Sequence, residues 1–292
     1  MNLKKKKEIV DNFIKLNDIV SLNRSLSLIT IQQLMKKIKK QEKALIAHMS
    51  FLNQLSRKPK RIDNQPKTLY IYYAVNEKFT SGFYDNIEKY LQDHFSSQHD
   101  LLITIGEHAK HFSETVLSTN PDFHYLDVLD LNSIARELAW LSQRNLKAQR
   151  VNQIVFLIRS NKTPAINTVL YPLEDFNFQL SLDENKKSFF RTLNQQQFQF
   201  FESAKEFEDN ALISFLTHAL RTLLLESSFI VYKNKLIHEN KILKDLEVRI
   251  KRAKMSLNRS MREQEIQELN LIHDHKKQGL KKYDKALPKN HH

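Results

Sequence analysis

Residues 69–87 read LYIYYAVNEKFTSGFYDNI. A run of β-branched and aromatic residues gives way to a short turn and then to the start of a helix. In α/β proteins that junction commonly cradles a phosphate. A dinucleotide site needs glycines there, so that backbone amides can approach the pyrophosphate. The turn in this chain, Asn76-Glu77-Lys78-Phe79-Thr80-Ser81-Gly82, holds a single one. A second such turn, ITIGEHAKHF at 103–112, has a lone Gly106 followed by Glu107, whose charge repels phosphate. No G-x-x-x-x-G-K-[ST], H-E-x-x-H or G-x-S-x-G pattern occurs in the chain. The stretch has the architecture of a nucleotide-binding unit without its chemistry, so no catalytic residue, cofactor or metal ligand is expected.

This apolar run is one of several in the middle of the chain. Leu69–Val75, Leu101–Gly106 and Gln153–Ile158 read as buried parallel strands. Helical patterns at Tyr84–Ser97, Glu107–Ser118 and Leu131–Leu146 separate them, the last holding Trp140. Thr168–Tyr171 and Phe176–Leu180 read as further strands. Alternating strand and helix predicts a small Rossmann-like α/β domain with a parallel sheet over residues 67–200.

The two ends of the chain follow a different period. Leu28, Ile31, Met35, Ile38, Glu42, Leu45, Met49 and Leu52 recur at spacings of three and four, and only Glu42 breaks the apolar series. That is a heptad seam within a predicted N-terminal helix over residues 1–58, closed by Pro59 and Pro66. Leu236, Leu243, Ile250 and Leu257 are seven apart, with Leu246 and Ala253 filling the intervening seam. No proline or glycine occurs from Lys205 to Gln278, so one helix over residues 205–285 is permitted. Each buried Leu or Ile is worth about 1.5–3 kcal/mol, so neither stripe stays in water. The expected fold is α/β with long helices: an antiparallel coiled coil of the two ends around the small domain. The alternative is both stripes lying flat on the central unit, which is too short to cover a helix of roughly 100 Å.

Charge is segregated in the same way. Residues 1–61 hold 15 Lys/Arg against 4 Asp/Glu, and residues 226–292 hold 16 against 9. The middle holds 15 against 20. With 3 glycines and 0 cysteines in 292 residues, the chain is helix-dominated and has no disulfide or thiolate chemistry. No stretch approaches the ~20 apolar residues of a membrane span, and the basic MNLKKKKEIV start lacks the apolar core of a secretory signal.

Order and spacing together resemble the γ subunit of the F-type rotary ATPases. The opening stretch resembles that family's S-D-R-G-L-C-G-G-F/Y-N-x-N-I, matching at Gly82, Phe83, Asn86 and Ile87, with Phe79 for the leucine and Asn76 for the aspartate. Lys78 and Ser81 replace glycines. Residues 101–112 resemble I-T-I-G-x-K-G-x-x-F-F, and residues 24–38 take R-I-x-S-I-x-N-T-x-K-I-T-x-A-M at Arg24, Ser27, Leu28, Leu34 and Ile38. Leu224-Leu225-Glu226-Ser227 is similar to L-L-E-S, and Asn258, Gln267 and Glu268 fall on N-x-x-R-Q-x-x-I-T-Q-E, whose R-Q pair becomes Met261-Arg262. The resemblance covers roughly residues 20–275 and implies a divergent, F-like member.

What it implies is a non-catalytic rotor. The paired helices would be an asymmetric axle inside a hexamer of catalytic and non-catalytic nucleotide-binding subunits. The α/β domain would be its foot, with an epsilon-like small subunit and a membrane rotor ring or another load as further partners. The expected location is cytoplasmic and peripheral to the membrane. Lys36, Lys37, Lys39 and Lys40 on the first helix and Arg249, Arg252, Arg259 and Arg262 on the last are the candidate rotor–stator contacts, facing acidic loops of the hexamer. The N-terminus runs past the family's usual start, and a basic tail from Gln278 to His292 follows its usual end. The runner-up is a basic coiled-coil nucleic-acid-binding protein, which steep salt dependence of duplex binding would reveal. An enzyme on the α/β middle is a third reading, which binding of a labelled nucleotide would support.

Overall fold

A computed structural model describes residues 3–55, 67–76, 82–126, 130–158, 160, 166–178 and 203–286. The elements, in chain order, are α1 (Leu3–Leu55), β1 (Thr68–Tyr73), α2 (Asp85–His94), β2 (Leu101–Ile105), α3 (Glu107–Thr115), β3 (Phe123–Tyr125), α4 (Leu131–Lys147), β4 (Gln153–Leu157), β5 (Asn167–Tyr171) and α5 (Ala204–Ala286). A short 3-10 turn, Leu173–Asp175, follows β5. The molecule divides into two compact units, one of Met1–Leu26 with Leu236–His292 and one of Ser27–Lys235. The division runs through both long helices.

In the Ser27–Lys235 unit the sheet order is β3-β2-β1-β4-β5. β1 pairs in parallel with β2 and β4, and β2 in parallel with β3. All six residues of the central strand β1 are buried, which explains its unbroken apolar and aromatic spelling. Alternation decides which face each residue serves. Leu69, Ile71 and Tyr73 join a core with α4, the end of α1 and the start of α5. Tyr70, Tyr72 and Ala74 join the opposite core, with α2 and α3. The result is a three-layer α/β/α unit. Asp130 caps α4, its carboxylate accepting from Asn132 N at 3.0 Å and Ser133 N at 3.3 Å.

Several expectations are corrected here. β5 is antiparallel to β4. It is joined through a connection too short for the crossover that a parallel strand would require. Phe176–Phe178 is not a strand. The Asn177 side chain instead binds Val169 N and Asn167 O, 3.1 Å each, and the rest of Phe176–Leu180 lies outside the described residues. β3, only three residues long, gives no periodic signal in the sequence.

The seam of α1 also shifts. Ile38, Leu45 and Leu52 are buried, Met49 and Ile31 are half-buried, but Leu28 and Met35 are 37% and 43% exposed. Ser27 and Leu34, one position earlier, are buried in their place. The buried series therefore takes two successive four-residue steps, Leu34 to Ile38 to Glu42. An α-helix has 3.6 residues per turn, and a four-residue insertion into a heptad register brings it back toward that value. Leu34 and Ile38 pack with Leu225 and Phe229 of α5. Further along α1, Gln41 accepts a contact from the His218 ring at 3.0 Å, so α1 and α5 run antiparallel within this unit.

In the other unit the heptad pattern on α5 is regular. Leu246 is buried, and Leu236, Leu243, Ile250, Ala253 and Leu257 are half-buried. On α1 the matching least-exposed positions are Leu3, Lys6, Val10, Phe13, Asn17 and Val20, again at three and four. Residues 3–20 are thus helical and pair with α5 in this unit.

Candidate functional site

The strand order places a topological switch between β1 and β4, where α/β sheets bind ligands. In this protein the crevice at those strand ends is filled from within. Tyr73, Leu157 and Ile158 form its floor, Phe83, Tyr84 and Ile87 one wall, and Ile230 and Val231 of α5 lie across it. The remaining cavity is about 10 Å³, room for about one water. The Tyr84 hydroxyl accepts from Val75 N at 3.2 Å, taking the amide directly after the strand.

Gly106 completes the closure. Its φ is +93°, and a Cβ there would lie 2.3 Å from the carbonyl oxygen of Ala74. That same carbonyl accepts from Ala109 N in the first turn of α3, at 3.4 Å. A protein oxygen therefore occupies the helix terminus that an anion would otherwise use. The glycine serves close packing between β1 and α3. Residues 77–81 of the first turn lie outside the described residues; Gly82 has φ +71° and would meet only Asp85 Oδ2 at 3.6 Å.

One polar cluster lies close to these residues. The Tyr72 hydroxyl donates to Glu88 Oε1 at 2.9 Å, and His108 Nε2 lies 2.7 Å from the same oxygen. Burial, then the Glu88 carboxylate, raises the Tyr72 phenol far above its ordinary range, so it serves as a neutral donor. No group of three or more His, Cys, Asp or Glu side chains arranged to hold a metal occurs among the described residues.

The surface of the helices differs from this closed domain. Lys36, Lys37, Lys39 and Lys40 are all exposed on α1, Lys37 flanking the side of Leu34 and Ile38 and the other three turned away from it. Arg249, Arg252, Arg259 and Arg262 are exposed on α5, with Arg259 held to Glu263 at 3.1 Å. The two sets fall in different compact units, the lysines with the sheet and the arginines with the terminal coil. What the sequence reading missed is apolar. Leu16, Ile19, Leu22 and Leu26 of α1 are 48%, 55%, 63% and 55% exposed, Leu16 beside the line of Val10, Phe13 and Val20 and the other three on the side away from it. On α5, Val248, Met255, Ile266 and Leu269 are 49–65% exposed. The signal was present, since Ile19, Leu22 and Leu26 repeat at three and four, as a second seam parallel to the first.

No protein-family model matches the chain. It is 24% identical over 212 residues to the uncharacterized protein UU050 of Ureaplasma parvum serovar 3, an alignment covering 70% of this chain and 67% of that one. Among solved structures it matches a chain of the Euglena gracilis mitochondrial ATP synthase rotor with a TM-score of 0.51. That alignment has 14% identity and covers 89% of this chain and 98% of the other. The chain shares its fold with that rotor chain. A second Euglena gracilis ATP synthase chain, from the OSCP/F1/c-ring, gives 0.53 at 12% identity over 99% and 98% of the two chains. A chain from the Tetrahymena thermophila central stalk and c-ring gives 0.53 at 9% identity, covering 77% of this chain and 99% of that one. Among the described residues no helix is long and apolar enough to cross a membrane.

Proposed function

We propose that the chain is a non-catalytic, γ-like central-stalk subunit of a rotary F-type or F-like ATPase, carrying torque between ATP chemistry in a surrounding hexamer and a load. The observation that carries this reading is the outer surface of the terminal coil. A free helix pair in water turns polar side chains outward. This one turns Leu16, Ile19, Leu22 and Leu26 outward from one helix and Val248 and Met255 from the other. Such faces require a covering. A shaft enclosed by a ring of other subunits has one on every side, and aliphatic side chains let it turn against that sleeve without directional bonds to break. The likeness to ATP synthase rotor chains supports the same reading.

The exposed lysines and arginines add a field acting on acidic groups of the ring within about 8–10 Å at physiological salt. The closed crevice fits a role in which ATP chemistry belongs to the nucleotide-binding partners. An epsilon-like subunit and a membrane ring or other load would meet the α/β foot, with the complex peripheral to the membrane on the cytoplasmic side.

The test is native purification through a tag on this chain. Catalytic and non-catalytic nucleotide-binding subunits should co-elute with it, as a hexamer around a single copy, with ATPase activity. Elution of the chain alone, under conditions that keep other complexes whole, would contradict the proposal.

A further inference from the structure

The single tryptophan of the chain is half exposed, on a helix otherwise buried around most of its circumference. α4 buries eight of its 17 residues, Ile134 and Leu138 among them. Its outward strip is Arg136, Trp140, Arg144 and Lys147, at steps of four, four and three, with Glu137 beside them. Trp140 is 52% exposed, although its N–H and large apolar face would both gain from a partner.

Two of the charges on this strip are already matched. Lys147 Nζ lies 2.8 Å from Asp209 Oδ2. Glu137 accepts from the Tyr125 hydroxyl, whose pKa burial and this carboxylate push up to about 12. Arg136 donates to Ser133 Oγ at 3.4 Å and, behind the Ser133 and Asn132 hydrogen bonds, adds a minor part to the lowering of the Asp130 pKa, and the Arg144 guanidinium lies 5.3 Å from the centre of the Trp140 ring. Two arginines about 12 Å apart along the helix therefore flank an indole, and among the described residues neither guanidinium is ion-paired with a carboxylate. This stands against the background of the chain. Lysines outnumber arginines 33 to 13, and residues 62–225 carry 15 basic against 20 acidic side chains. Arginine differs from lysine in presenting a planar fork that pairs bidentately with carboxylate. Tryptophan and arginine are also the residues that dominate binding energy at protein interfaces.

We propose that the Arg136–Trp140–Arg144 strip docks a protein segment bearing carboxylates that reach both arginines, with an apolar side chain between them laid on the indole. A nucleic acid fits less well. Duplex presents a charge about every 1.7 Å of its axis, and two arginines on an acidic domain offset few of them. The site is separate from the rotor reading and stands or falls on its own.

Because Trp140 is the only tryptophan, intrinsic fluorescence of the full chain reports on this position alone. The probe is an amidated peptide of Glu-Leu-Leu-Glu repeats. The expected result is a saturable blue shift of the emission that weakens as salt is raised. Arg136→Glu with Arg144→Glu, which alters only exposed side chains, should raise the Kd at least about tenfold. Arg136→Lys with Arg144→Lys, keeping the charge but losing the fork, should raise it by about threefold. Lys67→Glu with Lys89→Glu, exposed positions elsewhere in the same unit, should leave it unchanged, and circular dichroism should show every variant folded. The proposal is overturned by an absent or unsaturable shift. An equal response in the charge-reversed variant would overturn it too, as would duplex DNA giving the same shift at lower concentration than the peptide.

Discussion

The Lys6 ammonium donates to the hydroxyl of Ser260, a residue 254 positions away, and this contact sets the register of the terminal coil. From it the pairing of Val10, Phe13 and Val20 with the stripe of α5 follows by heptad steps. Past Ser260, α5 continues to Ala286, and Ile266, Leu269 and Ile272 on it are exposed.

Burial drives the coil far more than that single contact does. Leu246→Ala removes a buried seam residue and should cost about 2–5 kcal/mol of stability, whereas Lys6→Ala should cost under about 1 kcal/mol. Chemical denaturation of the full chain, with both helical signal and cysteine-tagged probes on the coil, checks the ordering. Equal costs would mean that register and not burial holds the pair.

Glu239 occupies the seam one heptad before Leu246, 6% exposed, and its Oε2 has no hydrogen-bond partner among the described residues. A buried polar atom left unmatched costs about 1–3 kcal/mol. Glu239→Leu should therefore raise stability by roughly that amount. The same change removes a polar group that disfavours other registers, so it should also increase self-association, readable by sedimentation.

His48 and His218 stack with ring centroids 4.7 Å apart. Burial lowers the pKa of both, and for His218 the neighbouring His48 and Arg221 lower it further. A histidine whose folded pKa lies below its unfolded value of about 6.5 binds fewer protons in the native state. Its stability contribution is present above that value and is lost as pH falls through and below it. The melting temperature should thus drop between pH 7.5 and 5.5 by more in the wild type than in a His48→Asn, His218→Asn variant. Parallel profiles would remove this pair from the acid response.

Gly106→Ala places a Cβ against the Ala74 carbonyl at a backbone conformation disfavoured for alanine. The expected loss is about 2–4 kcal/mol, with displaced amide resonances at Ala74 and Ala109. Gly82→Ala, whose Cβ would meet only Asp85 Oδ2 at an ordinary contact distance of 3.6 Å, should lose only the conformational part of that cost.

The fold was legible where one physical requirement decided the residue type. β1 is buried on both faces and spells an apolar run; α5 must bury Leu236 to Leu257 and spells heptads. Leu28 and Met35 misled because a heptad template extrapolates 3.5 residues per turn, while the helix passing the α/β unit keeps closer to 3.6. β3 was invisible because three residues at a sheet edge need no pattern. The closed crevice was half legible. The missing glycines argued against a phosphate, but the plug of Ile230 and Val231 comes from a helix over 150 positions away in the chain from β1. The outward apolar stripe of α1 was written in the sequence beside the inward one, and only the structure separates the two.

The lysine cluster supplies a functional test short of locking the shaft. Reversing Lys36, Lys37, Lys39 and Lys40 to Glu changes only exposed positions, so folding should persist. ATP turnover of the purified complex should fall severalfold, and less so at high salt, where screening shortens the reach of the charges. Unchanged turnover would remove these four from the contact with the ring.

The most direct measurement uses the absence of cysteine from the chain. A single cysteine at the exposed Leu22 or Met255 is then the only thiol on the shaft, and oxidation with an added oxidant to a disulfide with one cysteine introduced on a surrounding subunit ties shaft to ring at one place. A bridging disulfide should stop multiple-turnover ATP hydrolysis by the purified complex, and reduction should restore it. Full turnover with the bridge intact would contradict a shaft that turns inside the ring.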